Sequence, residues 1–232
     1  MVKTVKMNDF VESCIRERFE NENGYADAIP NGSVHLENFD FGKIRIQDLH
    51  LVDQTFINCN FSKVAFFDTT ASRCKFINCN FYEADFGCNA FTDCDFSRSN
   101  FTNAMMTDCN FTGSVFYGAT LPVEVPVVEN LDLEIYEAIV AGLGNLSMSS
   151  WHSMSCNTTH CRAGWAIVLA GDEGWKLEDK VGAALAGTLI YAASSGAPIP
   201  NFYDNSKTAL EDIAKRAGKS RSLAKLMEAN TK

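Results

Sequence analysis

The sequence predicts a mainly β solenoid followed by a small α-helical domain. Three observations support this fold class: an apolar residue at every fifth position, a compact residue at a fixed place in each repeat, and a hexapeptide that recurs twenty residues later. Residues 34–121 are predicted to form the solenoid, and residues 131–232 the α-helical domain. Residues 1–33 are expected to be an N-terminal helical cap and connector, and 122–130 a linker.

The apolar register is the strongest of these observations. Every fifth residue from Leu36 to Leu121 is apolar, over eighteen positions, and twelve of the seventeen phenylalanines fall on it. A strand would put residues five apart on opposite faces, and an α-helix would turn them by about 140°. The chain is therefore expected to turn once per repeat, with the large side chains on a common axis. This predicted core stack comprises Phe41, Phe56, Phe61, Phe66, Phe76, Phe81, Phe86, Phe91, Phe96, Phe101, Phe111 and Phe116.

The other positions of each repeat complete the pattern. The residue two places before each centre is compact from position 59 to position 119, and the remaining three are mostly polar. Polar residues of this kind indicate exposed edges and turns. The hexapeptide FINCNF occurs at 56–61 and again at 76–81, which predicts four repeats per turn. Eighteen repeats then make about 4.5 turns, with like residues stacked on like.

These repeats resemble the pentapeptide-repeat family, whose pattern is a compact residue, Asp or Asn, Leu or Phe, and two polar residues. The segments CNFSK, CNFYE, ADFGC, CDFSR, SNFTN and CNFTG match it directly. The resemblance covers residues from about 36 to 121 and implies a right-handed quadrilateral β-helix. The pattern departs from the family at Ala71 and between Ile44 and Gln54, where bulky Leu49 takes a compact position. The coil is expected to be irregular there.

The segments on either side of the repeats are predicted to be helical. Residues 8–20 carry an apolar stripe and are expected to form a lid on the solenoid, with Asn8 as a candidate N-cap. Thr158 or Thr159 is expected to cap the second helix after the repeats. The helices predicted there cover 131–142, 161–170, 178–193, Ser206 to Ala217, and a short segment from Ser220.

Composition and charge favour a cytoplasmic protein. The chain is 46% hydrophobic and 21% charged, as globular proteins are. Its net charge of −9 disfavours direct binding to nucleic acid or to anionic membranes. The sequence shows no apolar region typical of a signal peptide and no stretch long enough to span a membrane. Nine cysteines, five of them in compact positions of the repeat, fit a reducing compartment.

The segment 151–165 is the part of the sequence that most suggests chemistry. Four candidate metal ligands lie within ten positions there, but their spacing matches no common zinc pattern. Alternatively Cys161, at a helix N-terminus, could be a nucleophile with His152 as its base and Asp172 or Asp204 as the orienting acid. His160 is a weaker candidate for the base, because adjacent residues rarely align as nucleophile and base. The simpler interpretation is structural, with Cys161 and Trp165 in the core. The four candidate ligands are His152, Cys156, His160 and Cys161.

The resemblance implies a protein-binding scaffold. Several members of the family bind DNA gyrase or topoisomerase IV by imitating duplex DNA, and simple members are dimers. The sequence therefore favours a non-enzymatic chain with a protein partner and no cofactor, since the common nucleotide and metalloprotease motifs are missing.

Two alternatives stay open. One is a structural or assembly component, in which the coil is a spacer; CNTTHCRAGW and NFYDNSKTALEDI resemble C-terminal modules of uncharacterised bacterial and phage proteins. The other is a cysteine-dependent enzyme in the α-helical domain.

Overall fold

A computed structural model describes residues 35–42, 45–47, 50–149 and 159–223. Two features expected from the sequence, the helix at 8–20 and the effect of Leu49, lie outside these residues, as do His152, Cys156 and Thr158. The chain divides into two compact units. The coil unit comprises Met1–Glu124 with Gly196–Ile199, and the helical unit comprises Val125–Ser195 with Pro200–Lys232.

The coil unit is built from three-residue strands, each centred on an apolar residue of the repeat. Strands pair in parallel with the segment twenty residues later, so that Leu36 lies opposite Phe56, and Phe56 opposite Phe76. Single bridges continue the same pairing, as from Asn60 to Asn80. One turn therefore takes twenty residues, and the solenoid predicted from the sequence is confirmed. The strands in the described part of the coil unit are β1 (His35–Glu37), β2 (Arg45–Gln47), β3 (His50–Val52), β4 (Thr55–Ile57), β5 (Ala65–Phe67), β6 (Thr70–Ser72), β7 (Lys75–Ile77) and β8 (Ala90–Thr92).

The phenylalanines of the repeat fill the interior of the coil. From Phe56 onward they are at most 4% exposed, whereas Phe41, in the first described turn, is half-buried. Rings in successive turns stack almost parallel: the ring centroids of Phe61 and Phe81 are 5.1 Å apart, and those of Phe81 and Phe101 4.9 Å. Rings within one turn meet edge to face, as Phe76 and Phe81 do at 5.8 Å. Both are favourable arrangements for aromatic pairs.

The coil is regular at Ala71, where the sequence led us to expect an irregularity. Ala71 is 1% exposed, and it lies opposite Leu51 in the turn before and Phe91 in the turn after. The prediction of an irregular coil at this residue is wrong. The backbone pairing fixes the path of the chain, so a small side chain on the axis does not displace it.

In the described part of the coil, the repeats centred on Leu36 and on the apolar residues from 51 to 116 turn their corners through a residue with left-handed backbone. This residue stands two places after the apolar centre, as Asn58 (φ 53°) and Asn78 (φ 52°) show. A left-handed conformation is unfavourable for most L-residues but is tolerated by Asn and Asp. Among the corners in the described part of the coil, eight of the thirteen non-glycine residues with left-handed backbone are Asn or Asp. The polar corners seen in the sequence thus have a conformational as well as a solvation cause.

Corner residues of successive turns also bond to one another. The Asn78 amide donates to the side-chain oxygen of Asn58 at 2.8 Å, and the Asn58 amide donates to that of Asn38 at 3.3 Å. At another corner Arg73 makes two bonds to the Asp53 carboxylate, at 2.8 and 3.0 Å. These columns align the turns, although exposed ion pairs add little stability individually.

The compact positions close gaps in the backbone hydrogen bonding. Ser99 is fully buried; its hydroxyl oxygen accepts from the backbone N–H of Cys79 at 3.0 Å, and the hydroxyl donates to the Phe76 carbonyl at 2.7 Å. Ser114 makes the equivalent bonds to Cys94 and Phe91. A serine in this position therefore joins two neighbouring turns inside the coil.

Ser99→Ala is expected to lower the free energy of unfolding of the coil by about 1–3 kcal/mol, because it leaves a buried N–H and a buried C=O without a partner. Chemical denaturation followed by far-UV circular dichroism measures the change. Ser62→Ala, at a half-buried outward position, is the control and should cost much less. Equal losses would mean that the buried hydroxyl of Ser99 contributes no more to stability than the outward hydroxyl of Ser62.

Helices follow the repeats. Two short parallel strands, β9 (Asn145–Leu146) and β10 (Thr159–His160), lie between the first two helices in sequence. The helices that contain Ala163 and Gly187 approach closely where these two residues face each other, a contact too tight for a larger side chain at Gly187. The helices with both ends among the described residues are α1 (Leu131–Val140), α2 (Arg162–Leu169), α3 (Gly171–Val181), α4 (Ala183–Ser195) and α5 (Ser206–Arg216), and residues 220–223 are also helical, as expected from Ser220.

Three details of the helix prediction are wrong. The helix expected over 178–193 is interrupted at Gly182, whose φ of 82° ends α3 before α4 begins. Cys161 caps α2 instead of Thr159, which lies in β10. Asn205 caps α5 in place of Ser206, its side chain accepting from the N–H of Thr208 at 3.0 Å. None of the helices in the described part of the chain could span a membrane.

Candidate functional site

A cluster of polar side chains lies in the middle of the helical unit. Its centre is Arg162, which is 1% exposed and opens α2. The guanidinium donates through Nη2 to Asp132 Oδ1 at 2.6 Å, through Nη1 to Asp212 Oδ2 at 2.7 Å, and through Nε to the Tyr191 hydroxyl at 2.9 Å. The Tyr191 hydroxyl in turn donates to Asp132 Oδ1 at 2.8 Å. One arginine thus joins α1, α2, α4 and α5.

The charges of this cluster stabilise one another. Burial alone would lower the pKa of Arg162, but the charge of Asp132 and the bond to Asp212 outweigh it and raise the pKa. Burial would raise the pKa of Asp212, yet Arg162 and Arg216 hold it below its usual value. The Tyr191 hydroxyl has its pKa raised, chiefly by burial. Arg162 is therefore charged and Tyr191 neutral at physiological pH, and the cluster is a structural clamp.

Sequence reasoning missed this cluster. Its members are 30, 50 and 29 residues from Arg162, and no local pattern connects them. One signal was present: Arg162 is the sole charged residue in the otherwise apolar segment 161–170. A lone arginine in an apolar helix needs a buried acidic partner.

Two of the four candidate ligands, His160 and Cys161, are among the described residues, and both are buried. His160 is 2% exposed and meets Trp165 edge to face, with the ring centroids 5.1 Å apart. Cys161 is 2% exposed, and its sulfur accepts from the backbone N–H of Gly164 at 3.3 Å. Burial raises the pKa of the Cys161 thiol, although the N–H groups at the helix start oppose this. A thiol held in its protonated form is a poor nucleophile.

The metal site considered for this segment rests on four side chains, and His152 and Cys156 lie outside the described residues. Among the residues that the structure describes, no group of three or more His, Cys, Asp and Glu side chains could hold a metal ion. The remaining pair, His160 and Cys161, is too small a set for a tetrahedral site.

The outer surface of the coil is charged unevenly. Two of the four repeats in each turn, at residues 64–73, 84–93 and 104–113, carry four acidic residues and one basic residue, a net charge of −3. We call this half of the coil the acidic side. The other half, at residues 54–63, 74–83, 94–103 and 114–123, carries two acidic and three basic residues, a net charge of +1. The acidic residues of the acidic side are Asp68, Asp85, Asp93 and Asp108.

The backbone fixes the spacing of these carboxylates. Asp68 and Asp108 are exposed corner residues with left-handed backbone, two turns apart in one column. Successive turns of a parallel sheet are about 4.8 Å apart, which places these two carboxylates about 10 Å from each other along the coil. The side chain of Asp85 is held in place by a hydrogen bond, because its carboxylate accepts from the N–H of Gly87 at 2.9 Å. The acidic side is therefore a fixed array of charge.

Comparison with known proteins identifies the repeat. Residues 90–121 match the family model described as pentapeptide repeats (8 copies). The resemblance found in the sequence is thereby confirmed for residues 90–121, which carry pentapeptide repeats. A comparison with curated proteins gave no match.

Several solved structures are similar to part of the chain. A trypsin-treated form of QnrB1, a plasmid-mediated fluoroquinolone resistance protein, is 25% identical over 38% of this chain and 48% of that one, with a TM-score of 0.28. The pentapeptide-repeat protein Rfr23 from the cyanobacterium Cyanothece 51142 is 13% identical over 48% of this chain and 95% of that one, with a TM-score of 0.24. HetL, a pentapeptide-repeat protein of Nostoc sp. strain PCC 7120 involved in heterocyst differentiation regulation, is 12% identical over 40% of this chain and 52% of that one, with a TM-score of 0.17. The chain spans about half the length of the QnrB1 structure. TM-scores below 0.3 support no statement about what this chain binds.

Proposed function

We propose that this chain is a non-enzymatic protein-binding scaffold of the pentapeptide-repeat type, with the coil as its binding surface. The observation that carries the proposal is the acidic side, a net charge of −3 held on a backbone whose turns are hydrogen-bonded throughout the described coil. A surface that does not reorganise loses little conformational entropy on binding. Fixed charge also steers a partner of opposite charge toward the surface.

The partner fitted by this surface is a protein with a basic patch. An anionic array repels the phosphates of nucleic acid, so direct binding to DNA or RNA is not part of the proposal. The most specific form of the proposal is a DNA mimic that modulates DNA gyrase or topoisomerase IV, whose DNA-binding surfaces are basic. In this form the coil is right-handed and quadrilateral with about 4.5 turns, as the family resemblance implies, residues 1–33 cap it, and the protein acts in the cytoplasm as a monomer or a homodimer.

The helical unit favours a scaffold over an enzyme. Cys161 is buried with a raised thiol pKa, and Arg162 has its charge compensated by Asp132 and Asp212. A catalytic site needs a group that can reach substrate, and neither residue is exposed. The helical unit is proposed to fold as a compact appendage to the scaffold.

Asp68→Asn with Asp108→Asn is expected to weaken binding at least tenfold and to reduce its dependence on salt, because two charges are lost from the contact. Asparagine suits the left-handed backbone of both corners, so the fold should be kept. The unmodified protein and this variant are immobilised, and the proteins they retain from an extract of the source organism are compared. Gyrase supercoiling is assayed in parallel with both proteins.

The matched control removes two charges from the other half of the coil, by Glu83→Gln with Asp95→Asn, and should retain the partner as the unmodified protein does. Retention of a gyrase or topoisomerase subunit supports the specific form of the proposal. Retention of a different protein, lost only in the first variant, supports the scaffold alone. No retained protein, or equal retention by all three proteins, contradicts it.

A further inference from the structure

Tyr136 has a buried hydroxyl group without a hydrogen-bond partner among the described residues. The side chain belongs to α1 and is 4% exposed. In the described part of the helical unit, it is the one buried side-chain nitrogen or oxygen atom that has no hydrogen-bond partner. A hydroxyl removed from water and left unpaired costs stability, and folded proteins pair nearly all such groups. The hydroxyl is therefore expected to form a hydrogen bond with an atom other than the described protein atoms.

The side of α1 that carries Tyr136 also carries an acidic residue. Asp132 stands one turn before Tyr136 on α1, and residues four apart project from the same side of a helix. A long side chain in a helix leans toward the N-terminus, which directs the tyrosine ring toward Asp132. The bonds that Asp132 accepts from Arg162 and Tyr191 both use Oδ1, so Oδ2 can accept another. Arg162 has five N–H groups, and three of them make the bonds described above.

A buried water molecule needs a polar site with two to four partners. The Tyr136 hydroxyl, the second oxygen of Asp132 and the spare N–H groups of Arg162 provide partners of both kinds, donors and acceptors. We infer that an ordered water molecule is an integral part of the helical unit, bonded to the Tyr136 hydroxyl and bridging it to the Asp132–Arg162 pair. The clamp between the helices then includes a solvent molecule as well as four side chains.

Tyr136→Phe tests this inference, because phenylalanine keeps the ring and removes the hydroxyl alone. If a water bridges the hydroxyl to the charged pair, its loss should raise the equilibrium constant for unfolding about 5- to 30-fold. Denaturation followed by tryptophan fluorescence measures the change. Tyr203→Phe is the control: Tyr203 is 66% exposed, and the loss of its hydroxyl should leave the constant nearly unchanged.

A crystal structure of the unmodified protein provides the second measurement. Spherical density about 2.8 Å from the Tyr136 oxygen, missing from the crystal structure of the variant, supports the inference. A protein atom in that place overturns it, whatever the variant does to stability. A variant that is more stable than the unmodified protein overturns it too, since removing a truly unpaired hydroxyl relieves its desolvation cost.

Discussion

Arg162→Met should lower the free energy of unfolding of the helical unit by about 3–5 kcal/mol, the usual effect of removing one partner from a buried ion pair. Methionine fills most of the volume of the arginine stem but donates no hydrogen bond. Asp132, which is 8% exposed, would lose its counterion. Asp212 would retain only the bond from Arg216, at 2.8 Å. The large effect follows from the uncompensated acid that is left behind.

Tryptophan fluorescence isolates this effect, because all three tryptophans lie between residues 151 and 175 and the coil has none. Arg216→Met is the matched control. Arg216 bonds to the same carboxylate but is 23% exposed, so its loss should cost about 1 kcal/mol or less. Arg162→Lys should not restore stability, since an ammonium group lacks the planar geometry that serves three partners at once. Similar losses for the two methionine variants would show that Arg162 does not clamp the helices.

Phe81→Ala should cost the coil about 3–5 kcal/mol, as the removal of a large buried side chain does. The Phe81 ring is fully buried, and its neighbours in the turns before and after, Phe61 and Phe101, stack on it at centroid distances of 5.1 and 4.9 Å. The cavity would lie between rings that the paired backbone holds in place, so it cannot close easily. Far-UV circular dichroism during denaturation reports on the coil.

Asp93→Ala is the control for this change in the coil. Asp93 is an exposed corner residue with φ 55°, so alanine loses part of the local preference for left-handed backbone. The cost should be about 1 kcal/mol or less. If both variants lost the same stability, the assignment of inward and outward positions in the repeat would be wrong.

The architecture of the coil could be predicted because a five-residue period has few physical solutions. Neither a strand nor an α-helix keeps Phe76, Phe81 and Phe86 on one line, and the repeated hexapeptide supplied the length of a turn. The left-handed corners were not predicted. Lys63, Arg73 and Glu83 adopt this conformation although they do not favour it. At these corners the pairing between turns overrides local preference.

The helical unit was predicted less well, because its order depends on contacts that are distant in sequence. The sequence around Gly182 predicts one apolar helix, and only the positive φ of Gly182 in the structure shows that the helix is interrupted. Asn205 and Ser206 are adjacent and both suit an N-cap, so composition alone could not separate them. The polar cluster around Arg162 has partners on three other helices, and no spacing in the chain marks them.

The twenty-residue turn has a consequence for how such a chain can grow. A duplicated stretch of twenty codons would insert one complete layer, whose side chains meet the same neighbours above and below as those of the parent layer. The repeated FINCNF at 56–61 and 76–81 is the kind of trace that such an event would leave. A gain or loss of one codon would instead shift every later phenylalanine off the axis. Coils of this type are thus free to lengthen by whole layers, whereas single-residue changes in length are resisted.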